Sequence, residues 1–136
     1  MEEKILESIE NIEIFRFKKE ANSYYKTAIG GLRRKNIFTN EILYNIISMS
    51  IEKFIMAYLF ARKYLPACHT LGGLIKDLKK FIPVEESLEK KVAQFDNLQF
   101  ICALTFFSPE PISDTEISDM VLVLQQIKEL VQTDTV

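Results

Sequence analysis

Residues 39–66 read TNEILYNIISMSIEKFIMAYLFARKYLP, and this stretch decides the fold. Its apolar positions Ile42, Ile46, Met49, Phe54, Ala57 and Phe60 are mostly three and four residues apart, the period of a helix and not the alternation of a strand. They cover much of the circumference, which predicts the central helix of a bundle. Thr39 is placed to cap it, and Glu41 suits the positive end of the helix dipole. Pro66 predicts its end at about Leu65, because proline disfavours helical geometry in the residue before it.

Working outward, the same period continues on both sides. Residues 2–36 carry Ile5, Ile9, Ile12, Phe15, Phe17, Tyr24, Tyr25, Ala28 and Leu32 at helical spacing, read as one buried stripe. An interruption is expected near residues 11–17, where Ile12, Ile14 and Phe15 crowd different faces, and Gly30-Gly31 weakens the end before a stop at Asn36. Beyond Pro66, a short helix is expected from His69 or Thr70 to about Phe81, with Leu71, Leu74, Ile75 and Leu78 as its face. Gly72-Gly73 inside its start is read as close packing against a neighbouring helix. Pro83 separates it from a fourth helix over about residues 85–107, and SPEPI at 108–112 reads as an extended connector. Ser113-x-x-Glu116 is a capping box opening a last helix through Ile117, Met120, Leu124, Ile127 and Val131. The expectation is an all-α, antiparallel up-and-down bundle of four to five helices, one domain over residues 1–136.

Composition narrows the function classes. With 48% apolar and 26% charged residues the chain has the balance of a globular protein. Cys68 and Cys102 are too few for a secreted disulfide scaffold and read as reduced thiols, so a cytoplasmic protein is expected. No signal peptide is legible, and the longest apolar run, Ile42 to Ala61, is interrupted by Asn45, Glu52 and Lys53, so no membrane span is expected. The net charge is −2, against bulk-basic nucleic-acid binding. The charge is unevenly placed, however: residues 21–80 hold ten basic and three acidic residues, and residues 84–136 hold three and ten. A local basic face and solvated helix faces that happen to segregate both fit this.

Phosphate loops, HExxH, CxxC and GxSxG are absent. Cys68, His69 and Cys102 offer at most three ligands to a zinc ion, so neither a metal nor another cofactor is expected. His69 is the only histidine, so imidazole chemistry runs through it. Arg62 precedes it by seven residues across the Pro66 break. If the chain folds back there, a fixed cation and a base share one cavity. In the alternative, Arg62 serves the last carbonyls of its own helix and His69 caps the next. Glu52 and Lys53 are charges inside an apolar helix and point about 100° apart, so they are not a simple pair. A partner from another helix, or a solvated edge, would accommodate Glu52.

Two stretches carry a resemblance: ANSYYKTA (Ala21 to Ala28) and SIEKFIMAYLFARKYLPACHTLGGLIKDL (Ser50 to Leu78). The Ala/Tyr-rich first helix, the Glu52-Lys53 dipeptide in a long second helix, and a helix start with His69, Leu71 and Leu74 resemble the HEPN domain family over residues 21–80. The resemblance implies a bundle that often forms homodimers. In active members an Arg-x(4–6)-His motif cleaves RNA without metal. Arg62 and His69 match that spacing at its upper limit, with His69 as acid or base and Arg62 on the phosphate; Lys63 stands where a polar Asn, Asp or His is common. The expectation is a module binding nucleotide or RNA through Glu52, Lys53, Arg62, Lys63 and His69. Its alternatives are a metal-independent endoribonuclease using Arg62 and His69, and a non-catalytic interaction module for a nucleotidyltransferase-like protein.

Overall fold

A computed structural model describes the backbone of residues 2–104 and 111–133, with side chains for 2–98 and 111–133. Five helices follow in order: α1 (Glu2–Gly31), α2 (Asn40–Ala61), α3 (Leu71–Lys79), α4 (Glu86–Leu104) and α5 (Asp114–Thr133), with no strand among the described residues. The fold is an all-α bundle, as the periodicity predicts. Phe106, Phe107 and most of the SPEPI connector lie outside the described residues.

The central position of α2 follows from its composition. Leu43, Ile47, Ile51, Ile55 and Leu59 are fully buried, and α2 packs against α1, α3 and α5. The buried stripe is therefore offset from part of the expected one, since Ile42 and Met49 are exposed. By length and composition α2 could cross a membrane, with mean hydropathy 1.3 over its most apolar window, but 61% of that window is buried inside the bundle. Thr39 caps it by accepting from the Ile42 amide. The Ser50 hydroxyl, fully buried, donates to the Ala21 carbonyl of α1 at 2.8 Å, and the Tyr44 hydroxyl donates to the Phe95 carbonyl of α4 at 2.6 Å.

The interruption expected near residues 11–17 does not occur: α1 is continuous. The apolar residues that seem to conflict there serve two faces of one helix. Ala21 and Ala28 are fully buried, with Phe17 and Tyr25 packed against the core. Ile5, Ile9, Ile12 and Phe15, expected to extend the buried stripe, are instead 57%, 52%, 63% and 67% exposed. The main reason is orientation, since at about 100° per residue these positions lie on the side of α1 away from Ala21 and Ala28, and α1 also outruns its neighbour. Ser50 pairs with Ala21 and Lys53 with Glu20, so the helices are antiparallel and the end of α2 stands level with about residue 11 of α1. The preceding turns, about 15 Å of helix, extend past it as an arm. Gly31, and not Asn36, ends α1; a Cβ there would lie 2.9 Å from both Leu43 and Phe38, so glycine admits the turn onto α2.

α5 matches its sequence signals closely. The Ser113 amide donates to Glu116 at 3.0 Å, the Glu116 amide donates to the Ser113 hydroxyl at 3.1 Å, and Ile117, Met120, Leu124, Ile127 and Val131 are all buried. Asn40 bridges the starts of α2 and α5, donating to the Ile112 carbonyl and Asp114 at 2.8 Å each.

Candidate functional site

The corner between α2 and α3 holds the residues singled out from sequence, but it is built differently. α2 ends at Ala61, four residues short of expectation, and Pro66 does not stop it. Lys63 adopts a left-handed conformation (φ 59°). Its amide donates to the Phe60 carbonyl at 2.9 Å, and the Tyr64 amide to Leu59 at 3.0 Å. This is the paired closure of a Schellman turn, usually made with glycine. The chain has already reversed when it reaches Pro66.

Arg62 is the C-cap residue. Its guanidinium lies 3.4 Å from the centroid of the Tyr58 ring and donates from Nη1 to the Tyr58 carbonyl at 3.2 Å. A cation on the last carbonyls of its own helix is the plainer of the two roles open to it. His69 stands just before α3, whose cap is Thr70. Its side chain is 61% exposed, and Nδ1 lies 3.7 Å from the Glu52 carboxylate, beyond hydrogen-bond length but within ion-pair reach when the ring is protonated. Lys53 turns to α1, 3.2 Å from Glu20 and 5.2 Å from the Phe17 ring centroid. Glu52 and Lys53 thus serve different neighbours, as their angular offset requires, and the neighbour of Glu52 is the histidine.

The structural centre of the corner is Asp96 of α4, which sequence reasoning missed. Its Oδ1 accepts from the Leu71 amide at 2.9 Å and its Oδ2 from the Gly72 amide at 2.6 Å. The Thr70 hydroxyl accepts from the Gly73 amide at 3.1 Å, and the Leu74 amide reaches the Thr70 carbonyl at 2.9 Å. The amides of the first three residues of α3, which have no partner within the helix, are therefore satisfied, and Leu74 makes the first bond inside it. Gly72 makes this possible, since a Cβ there would lie 2.9 Å from Asp96 Oδ2. The close packing read from Gly72-Gly73 is that of a carboxylate on backbone, and only Gly72 meets the neighbouring helix. At the other end of α3 the Tyr64 hydroxyl donates to Asp77 at 2.9 Å and accepts from Lys80 at 3.0 Å.

The exposed Cys68 thiol bonds with the Thr70 hydroxyl at 3.1 Å. Hydrogen bonds from the Thr70 side chain and then its backbone hold the thiol below its ordinary pKa.

Electrostatically, Arg62 and Lys53, two of the residues expected to bind nucleotide, have protein acceptors in Tyr58 and Glu20, and the α3 amides have Asp96. Lys63 and His69 are exposed at the corner, as Cys68 is, with Glu52 beside the imidazole. A cavity of about 160 Å³ opens between α1, α2 and α5, lined by Lys18, Asn22, Phe54, Tyr58 and Val131; neither Arg62 nor His69 lines it. No protein-family model, curated protein or solved structure matches the chain.

Proposed function

We propose that the protein is a non-catalytic interaction module that docks through the apolar face of the α1 arm. The observation that carries the reading is the run of Ile5, Leu6, Ile9, Ile12 and Phe15, each more than half exposed on a helix whose other half is anchored in the core. Large apolar side chains gathered at one place on a surface mark a contact to be made, where isolated ones do not. The arm's polar positions argue for protein and against membrane. Five glutamates and one lysine fall within residues 2–13, and such a helix is repelled by anionic lipid. The HEPN resemblance offers a nucleotidyltransferase-like protein as one class of partner.

A photo-crosslinking side chain placed at Leu6 or Phe15 in living cells tests the reading, with exposed Lys90 of α4 as control. Protein adducts at the arm positions and not at Lys90 are expected. Adducts at neither place, or equally at both, overturn it.

A second reading, nucleotide or RNA binding at the α2–α3 corner, is supported by the exposure of His69 beside Glu52 and by exposed Lys63 next to Arg62. Fluorescence anisotropy with labelled RNA and ATP tests it: binding lost in His69→Ala supports it, and no binding by the native chain refutes it. Cleavage of RNA in EDTA, abolished by His69→Ala, would establish the endoribonuclease alternative.

A further inference from the structure

Resting on the arm as the docking face, we infer that its occupant is the same arm of a second copy, laid antiparallel. The outward face of α1 carries Glu2, Ile5, Ile9, Ile12, Arg16 and Lys19, spaced three, four, three, four and three residues apart. That is the seam spacing of a coiled coil, and at about 100° per residue it lies on the side of the helix away from buried Ala21 and Ala28. The seam has a charge polarity: acid at its first position, isoleucine at its middle three, base at its last two. Such a seam is mismatched to itself in parallel, where like charges meet, and matched to itself in antiparallel. A two-fold axis between Glu10 and Asn11 sets Ile9 against Ile12, Ile5 against the aliphatic stem of Arg16, and Glu2 against Lys19. Each contact occurs twice, as an isologous interface requires.

Area is consistent with a dimer of modest strength. Ile5, Ile9 and Ile12, with Leu6 and Phe15 on the two flanks of the seam, each over half exposed, present roughly 500 Å² of apolar surface per copy, so the pair buries at most about 1,000 Å², the lower edge of specific interfaces. A dissociation constant on the order of tens of micromolar is expected. Because the seam's ends are exposed charges, added salt weakens the dimer without abolishing it.

Zero-length carbodiimide cross-linking of the unmodified chain, with sedimentation equilibrium, tests the register. Glu2 and Lys19 are about 25 Å apart along one helix, so a direct bond between them joins two copies. The expected results are a concentration-dependent dimer and a Glu2–Lys19 product. Affinity should weaken about tenfold or more in Ile9→Ser/Ile12→Ser with the circular dichroism spectrum unchanged. Glu2→Lys should also weaken the dimer, and adding Lys19→Glu should restore it. A dimer lacking the Glu2–Lys19 product and indifferent to Ile9→Ser/Ile12→Ser overturns the inference. So does a chain monomeric at several hundred micromolar; adducts with a different protein at Leu6 in cells would then show that the docking reading survives and only the second copy is wrong.

Discussion

Replacing Gly72 by alanine should change sign according to what stands at position 96. In the native chain the new methyl would lie 2.9 Å from Asp96 Oδ2, which already sits 2.6 Å from the Gly72 amide. The carboxylate must swing away, loosening both bonds it makes to the start of α3. Hydrogen bonds to a charged acceptor contribute about 1.5–3 kcal/mol each; Asp96 is only half-buried, so the lower end applies and Asp96→Ala should cost about 2–3 kcal/mol. Against this, alanine is favoured over glycine in a helix by up to about 1 kcal/mol. Gly72→Ala should therefore destabilise the native chain by about 1 kcal/mol and stabilise the Asp96→Ala chain by about 0.5–1 kcal/mol. The coupling between the sites is then about 1.5–2 kcal/mol. Urea unfolding of the four proteins, followed by circular dichroism at several protein concentrations, gives these differences directly. The reasoning is refuted if Gly72→Ala has the same effect in both backgrounds to within about 0.5 kcal/mol, because Asp96 would then not be what constrains position 72.

Lys63→Gly should stabilise by about 0.5–1 kcal/mol, since a left-handed residue with a side chain carries strain that glycine does not; an unchanged urea midpoint would refute the role assigned to its φ. Asp114 gives a pH-dependent case. Hydrogen bonds from Asn40 and then Lys35 hold its carboxyl below the ordinary carboxylate range. A carboxyl lowered on folding contributes stability that is complete above its unfolded pKa and disappears as pH falls through its folded one. Asp114→Ala should thus be less stable than the native chain at neutral pH, the two unfolding curves converging on acidification; a gap that stays constant with pH would refute it. Arg62→Ala separates the roles of that residue: loss of the contacts with Tyr58 lowers the thermal midpoint, whereas a phosphate site would show reduced RNA binding at an unchanged midpoint.

The local grammar of the chain was legible without coordinates. Thr39, Ser113 with Glu116, and the i, i+3, i+4 pattern of Ile117 to Val131 act within one or two turns, so their signals lie side by side in sequence. Five helices and a central α2 followed from them. The corner was not legible in the same way. Helix termination at Arg62 depends on Lys63 taking a conformation its residue type does not advertise, while Pro66, the obvious stop signal, lies beyond a turn already made. Asp96 is 24 residues from the amide it caps most closely, and nothing near it in sequence distinguishes it from a solvated acid. Spacing placed Arg62 and His69 near one corner but left their partners undetermined; tertiary packing set the guanidinium on Tyr58 and the imidazole beside Glu52. The arm shows the same division most clearly. Periodicity alone made Ile5, Ile9 and Ile12 apolar positions of a helix, because 3.6 residues per turn is a property of any helical backbone. Whether such a face is buried depends on which side of the helix its neighbours occupy, and only the packing of α1 onto the bundle through Ala21 and Ala28 left this one bare.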